Sequence, residues 1–501
     1  MTRDKYDSFN RSHCLAYSLV ALQEMNLAFK YPIVFWNCAC LITDSGGSNN
    51  EDMEESNEEI VDIYESEDFE EYEYIDAPDK KTKIKKKRQK TNDYKKIATA
   101  ISKMKQSGIE VLPPDINNSS YTFTPDPINN KILFGLSGML NVGEDIILDT
   151  INNRPYESVK DYYLKVNPKK PAMISLIKGG AFDSMMDRKL CMAWYIWETC
   201  DKKTRLTLQN MNGLIKYDLL PKDTEERIMA LRVYEFNRYL KAVCKYDNEY
   251  YLVDERAINF LTELGYEEYL DTDNIKWYLG IKKWDKIYQK WMDVFRTWIN
   301  ENKEQILNDL NKIIFKEDWE KYALGSISAW EMEALCYYYH DHELINVNTS
   351  RYGFSDFYKL PEEPEVEKTF KKSGKEIRMF KLSRICGTCI AKNDKGNVTI
   401  LTTSGVVEVK FRKEYYSLFN RRISQVQADG SKKVIERSWF NRGNMIVVTG
   451  IRSGDYFIAK KYASTPGGHM LYRIKEIIND GRELRMTSER YQGGIEEDEP
   501  N

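Results

Sequence analysis

Residues 51–79 carry 15 acidic side chains and no basic one, and residues 80–90 follow with 8 Lys or Arg and no acid. Blocks of this kind bury too little apolar surface to offset the entropy of ordering them. The stretch from about Ser45 to Lys90 therefore reads as a disordered insertion, and whatever folds must fold on either side of it. Its basic half suits pairing with its own acidic half better than a dedicated site for nucleic acid or an acidic partner. A chain of 501 residues still leaves length for about three folding units. The net charge of −4 is uninformative about partners, because residues 371–470 alone hold 20 basic against 7 acidic side chains.

No run approaches the roughly 18 uncharged apolar residues of a membrane span, and the opening MTRDKYDSFNRSHC lacks the apolar core of a signal peptide. Nine scattered cysteines suit reduced thiols better than a disulfide framework. Together these point to a cytoplasmic protein with no membrane partner. Cys386-Gly-Thr-Cys389 has the spacing of half a zinc site, but no second Cys-x-x-Cys closes it, so a strand is the simpler reading. With four histidines, no nucleophile with a sequence partner and no GxxxxGK[ST] loop, no catalytic residue and no metal ligand can be nominated. Asp271-Thr-Asp273 lies in a polar stretch between helical segments and reads as a loop or N-cap.

The periodicity divides the rest. Leu15, Leu19, Leu22 and Leu27 predict a helix from Ser12, broken at Tyr31-Pro32, with a second short helix over Ile33 to Ile42. The opening directly onto an apolar helix suggests a piece whose neighbours lie on another polypeptide. An amphipathic helix from Tyr94 to Lys105 should end at a left-handed Gly108. Residues 186 to about 342 read as mainly helical. Beyond the linker Leu360 to Glu365 the period becomes two: strands at Arg384 to Lys392, Asn397 to Thr403 and Val406 to Phe411, a helix near Glu414 to Phe419, then strands at Met445 to Ile451 and Tyr456 to Lys460. That is the element order of an OB-type Greek-key barrel.

Three stretches suggest ligands. Phe134 to Ile147 reads as an apolar helix end, a tight turn at Asn141-Val142-Gly143, where glycine permits the positive backbone angle and Asn141 stands where such hairpins usually have glycine, and a second helix whose N–H groups can hold a DNA phosphate. A structural αα-turn is the competing reading. In the barrel, Lys410, Arg412, Lys413, Arg421, Arg422, Arg442 and Arg452 lie amid Tyr415, Tyr416, Trp439, Phe440 and Tyr456, a mixture suited to tracking phosphates and stacking bases of a single strand. A basic protein-docking surface is the alternative. Phe9-Asn-Arg-Ser-His13 gathers polar groups at a helix start that suits a triphosphate, or is simply an N-cap.

The order of these pieces resembles the C-terminal half of the bacterial DNA polymerase III alpha subunit, the C family of replicative DNA polymerases. Phe9 to Val20 is similar to the family's Phe-Asn-Lys-Ser-His-x-x-x-Tyr signature, Ile109 to Ser119 to Val-Leu-Pro-Pro-Asp-Val-Asn, Leu176 to Asp183 to Leu-Ile-Lys-Ala-Gly-Ala-Phe-Asp, and Glu331 to Leu344 to the helix before its OB domain, with Glu343 in place of proline. The resemblance implies a multidomain α+β protein: residues 1–45 end mainly helical fingers, 46–93 are the insertion, 94–130 continue the fingers, 131–185 form a helix-hairpin-helix region, 186–350 a helical domain, 351–378 a linker, 379–480 an OB-type β-barrel and 481–501 a tail. It implies that Asn10, Arg11, Ser12, His13 and Tyr17 lie by the incoming dNTP, that Ser137, Asn141, Val142 and Gly143 hold duplex phosphate, and that the barrel receives single-stranded template. The family's palm signature Pro-Asp-x-Asp-x-Asp does not occur here. The expected protein is thus part of a split polymerase on primer-template DNA, with Mg²⁺ and its carboxylates on a palm-containing partner chain. The alternative is a non-catalytic DNA-binding relative. A sliding clamp stays open as a partner, although no clean Gln-x-x-Leu-x-Phe peptide is present.

Overall fold

The computed structural model describes residues 11–45 and 93–490, apart from 207–209, 274, 373–374, 394, 427–431 and 463–467. The acidic and basic insertion and the C-terminal acidic residues lie outside the described residues. The chain divides into two compact units, one made of 1–192 with 325–501 and the other of 193–324.

The first unit opens with α1 (Arg11–Lys30) and α2 (Ile33–Asp44), separated at Pro32, whose ring removes a donor and holds its predecessor out of the helical region. After the insertion comes α3 (Tyr94–Gln106), capped by the Asp93 carboxylate, which accepts from the Lys96 N–H at 3.1 Å. The backbone N–H of Asp93 donates to the Asp44 carbonyl at 2.9 Å, so the points where the insertion leaves and returns touch. Gly108 ends this region at φ +75, as its position predicts. A small sheet follows, β1 (Glu110–Leu112), β2 (Thr124–Asp126) and β3 (Lys131–Leu133), in the order β1-β3-β2. Then come α4 (Glu144–Asn152), α5 (Val159–Val166), α6 (Lys170–Gly179) and α7 (Arg188–Thr199), within which the division between units falls.

The second unit contains α8 (Met211–Lys216), α9 (Glu225–Tyr239), β4 (Tyr250–Val253), α10 (Glu255–Glu263), β5 (Leu270–Thr272), β6 (Trp277–Gly280) and the 42-residue α11 (Ile281–Tyr322). Its core is aromatic and aliphatic, centred on Trp284, whose indole N–H donates to Asn237 at 3.0 Å. The unit is narrower than the expected 186–350 domain and is not helical throughout, since β4, β6 and β5 form an antiparallel sheet. Asp271 and Thr272 lie in a strand, which corrects the loop reading. The Asp271 carboxylate pairs with Lys283 at 3.0 Å, and Asp273 accepts the N–H groups of Ile275 and Lys276.

The chain returns to the first unit with α12 (Ile327–Leu335) and α13 (Thr349–Tyr352). The expected linker 351–378 holds more order than anticipated, since β7 (Val366–Lys372) and β8 (Lys375–Phe380) form a hairpin. The barrel follows: β9 (Ser383–Lys392), β10 (Asn397–Leu401), β11 (Val406–Lys410), α14 (Lys413–Asn420), the hairpin β12 (Ile423–Val426) and β13 (Lys432–Glu436), β14 (Met445–Ser453) and β15 (Tyr456–Ala459). Five strands close in the order β15-β11-β10-β9-β14, with β14 pairing back to β15 and β11 parallel to β15, an OB-like mixed barrel. Alternate residues such as Val407, Val409, Ile446 and Val448 fill it, as a period of two requires. β16 (Leu471–Ile478) and β17 (Glu483–Thr487) extend the sheet from β14, so ordered strand reaches beyond the expected tail boundary at 481.

Two distant signature segments meet at α6 and α12. A side chain at Gly179 would strike Met139 and Leu335, and Gly180, at φ +86, leaves the room that the Arg188 and Asp183 side chains occupy. Arg188 in turn bonds Asp183 and the fully buried Glu331, whose carboxylate also accepts from the Tyr339 N–H, at 2.9 Å, and meets the His340 ring at 2.6 Å.

Candidate nucleic-acid interface

The hairpin at 134–147 has a different make-up from the expected one. Its first arm is strand β3 and a single 3₁₀ turn, Leu136–Gly138, rather than an α-helix. The positive backbone angle belongs to Asn141, at φ +58, whereas Gly143 sits at φ −73 as the N-cap of α4. Asn tolerates this region better than other non-glycine residues, so the turn forms without the second glycine. Gly143 offers no side-chain cap, which leaves the first N–H groups of α4 open to an anion, beside the Glu144 and Asp145 carboxylates. Ser137 and Val142 lie on the same turn, half-buried.

The barrel sorts the sequence-predicted cations into two groups. Arg452 is structural: its guanidinium donates to the carbonyls of Leu360 at 2.7 Å and Phe357 at 3.3 Å and lies over the Phe357 ring. Arg442 donates to the Ile390 carbonyl at 3.3 Å and stacks on Tyr94. These two are committed to internal bonds, contrary to their expected place on a DNA-facing surface. Arg412, Lys413, Arg421 and Arg422 are exposed, and the ammonium of the half-buried Lys410 lies 3.2 Å from the centroid of the exposed Tyr456 ring. Of the aromatics expected to stack bases, Tyr416, Trp439 and Phe440 are core residues, and only Tyr415 and Tyr456 face outward.

Helix α3 accounts for part of this. It docks on the outer surface of the barrel, with Lys95 paired to Glu408 at 2.9 Å, Gln106 donating to the Ser404 carbonyl at 3.3 Å and Tyr94 under Arg442. Tyr338 bonds Thr388 at 2.9 Å nearby, and His342 donates to the Leu401 carbonyl at 2.9 Å while its other ring nitrogen accepts the Leu344 N–H. Burial lowers the His342 pKa to about 4. The outer side of β9 to β11, at Thr388, Leu401, Ser404 and Glu408, is therefore an internal joint, and the exposed basic surface is that of Arg412, Lys413, Arg421 and Arg422 around α14, with Lys410 and Tyr456 at its border. Sequence reading missed the joint because Lys95 and Glu408 are 313 residues apart and neither carries a local signal.

Asn10 lies outside the described residues. Arg11 to His13 form the first turn of α1, and Tyr17, one turn further, is 65% exposed. Cys386 and Cys389, three apart on β9, point to opposite faces of the strand, and burial pushes both thiols up to about 12. Among the described residues no group of three or more His, Cys, Asp or Glu stands together as a metal site would require.

A hairpin region joined to an OB-like barrel defines the class, and the chain has similar proteins of known kind. The helix-hairpin-helix motif model matches residues 108–190. The chain is a relative of DNA polymerases. It is 36% identical over 491 residues to a probable DNA polymerase, YorL, of Bacillus subtilis strain 168, and equally to a DNA-directed DNA polymerase of Bacillus phage SPbeta, covering 96% of this chain and 35% of each relative. It is also 36% identical over 109 residues to the DNA polymerase III subunit alpha of Thermus aquaticus, 20% of this chain and 9% of that one. The chain thus spans about a third of the length of the phage and prophage polymerases.

Proposed function

We propose that this chain is the fingers, duplex-binding and barrel portion of a C-family replicative DNA polymerase, acting in the cytoplasm in template-directed DNA synthesis, with the palm carried by a separate polypeptide. The observation that carries this reading is similarity to a phage DNA-directed DNA polymerase across 96% of the chain, in a sequence without the Pro-Asp-x-Asp-x-Asp that two-metal phosphoryl transfer needs. Helix α1 supports it. Leu15, Leu19, Leu22, Met25, Leu27 and Phe29 are 50–95% exposed, and a helix apolar on all sides is one that packs within a larger core. In this reading Asn10, Arg11, Ser12, His13 and Tyr17 border the incoming dNTP, and Ser137, Asn141, Val142 and Gly143 hold duplex phosphate. Single-stranded template follows Lys410, Tyr456, Arg412, Lys413, Arg421 and Arg422.

The test is reconstitution with a palm-bearing polypeptide, primed template, Mg²⁺ and dNTPs. Primer extension by the mixture, weakened by Arg11→Ala or His13→Ala with primer-template binding intact, is the expected result. Neither association nor extension would sink the proposal. The missing palm signature equally favours a second reading, a non-catalytic primer-template-binding relative, which predicts DNA binding without extension.

A further inference from the structure

Beside the barrel, a cavity of about 310 Å³ is bounded by α13, the start of β9, the middle of β14, the segment just past β15 and the approach to β16. Its charged or chargeable side chains are Arg384, Lys461 and His469, and among the described residues no carboxylate lines it.

The backbone around the cavity is fixed. Thr449 pairs with Arg384 across β14 and β9, so both side chains share a face. Its N–H donates to the Met470 carbonyl at 2.8 Å, its hydroxyl to the His469 carbonyl at 3.2 Å, and its carbonyl accepts from Lys460 at 2.9 Å. The Ser355 N–H donates to the Arg384 carbonyl at 2.7 Å and closes the α13 side. Tyr472 aligns the two groups that meet its ring: the Arg384 guanidinium lies 5.8 Å from its centroid, and the His469 imidazole meets it edge-on at 5.6 Å. Tyr352 forms an aromatic wall. A guanidinium, an ammonium and an imidazole line one cavity with no carboxylate among its described lining residues, a set of cations and donors that fits an anion, and the planar fork of Arg384 suits a phosphate oxygen pair.

We propose that this cavity is a phosphate-binding site, distinct from the exposed basic surface around α14, that takes a phosphate group of a nucleic-acid strand or of free pyrophosphate. It does not rest on the polymerase reading, because it is tested on the chain alone.

The experiment compares wild-type chain with an R384Q/K461Q double variant, using a fluorescent oligo-dT probe across a salt series and thermal melting with inorganic pyrophosphate. If a strand phosphate is the ligand, the variant's log–log salt slope for oligo-dT is shallower by about 0.7, the share of the one phosphate left without its cations. If free pyrophosphate is the ligand, it raises the wild-type melting temperature and not the variant's, with the oligo-dT slope unchanged. R384K/K461R, which keeps both charges, restores whichever response is seen and separates failure to bind from misfolding. An unchanged slope together with no pyrophosphate shift in the wild type overturns the site.

Discussion

Arg188 donates to Glu331 at 3.0 Å with both side chains buried, across 143 residues of sequence. Removing one member of a buried pair leaves the other charged and unsolvated, which typically costs about 3–5 kcal/mol. Glu331→Ala should therefore lower the thermal midpoint of this unit by many degrees. Asp183→Asn, at the more exposed edge of the same network, should cost visibly less. Equal losses would mean the buried carboxylate is not the centre of the network.

His342 gives the fold a defined acid sensitivity. One ring nitrogen accepts a backbone N–H and the other donates to a carbonyl, so the ring is held neutral, and burial lowers its pKa to about 4. A group whose folded pKa lies below its unfolded value of about 6.5 takes up a proton more readily when unfolded. Its contribution is intact above about pH 6.5 and is lost as pH falls toward 4, by about 3 kcal/mol over that window. Melting temperature against pH should show this decline in the wild type and a smaller one in His342→Gln.

The turn at Asn141 predicts a split between substitutions. Asn141→Gly should preserve stability to within about half a kcal/mol, because glycine adopts φ +58 freely. Asn141→Val should cost about 1–2 kcal/mol, the penalty of a left-handed β-branched residue. Denaturant melts of the two variants decide it, and equal stability would remove the left-handed turn from the account.

Arg452 and Lys413 look alike in sequence and should behave differently. Arg452→Gln should destabilise the first unit by releasing the 357–360 carbonyls, with the salt slope for single-stranded DNA unchanged. Lys413→Gln should leave the melting temperature in place and reduce that slope by about 0.7. The reverse pattern would exchange their roles.

The barrel was legible because its strands alternate and its turns are marked at Asn393 to Gly396, Ser404-Gly405 and Arg452 to Asp455, where local chemistry and tertiary structure agree. The hairpin was legible in position and in Asn141 standing where glycine is usual, but not in its first arm, because an apolar run as short as Phe134 to Leu140 does not distinguish a helix end from a strand and a 3₁₀ turn. Strands β4, β5 and β6 went unread because three or four residues of mixed aromatic and charged sequence carry no distinct period. Arg442 and Arg452 were misplaced because a cation that bonds buried carbonyls has the same letter as one that faces solvent. Trp439 and Phe440 were read as stacking surfaces for the same reason: an aromatic residue does not announce which side of a barrel wall it occupies.

The hydrogen bond from the Asp93 N–H to the Asp44 carbonyl brings together the two ends of the insertion between them. Because its two ends already coincide, its length enters the energetics only through the logarithm of a closure term. Replacing 46–92 with four glycines should thus raise stability by about 2 kcal/mol and leave the rest of the unit as it is. If so, the fold reads the segment only where it leaves and returns, at Asp44 and Asp93, and not through the acidic and basic blocks between them.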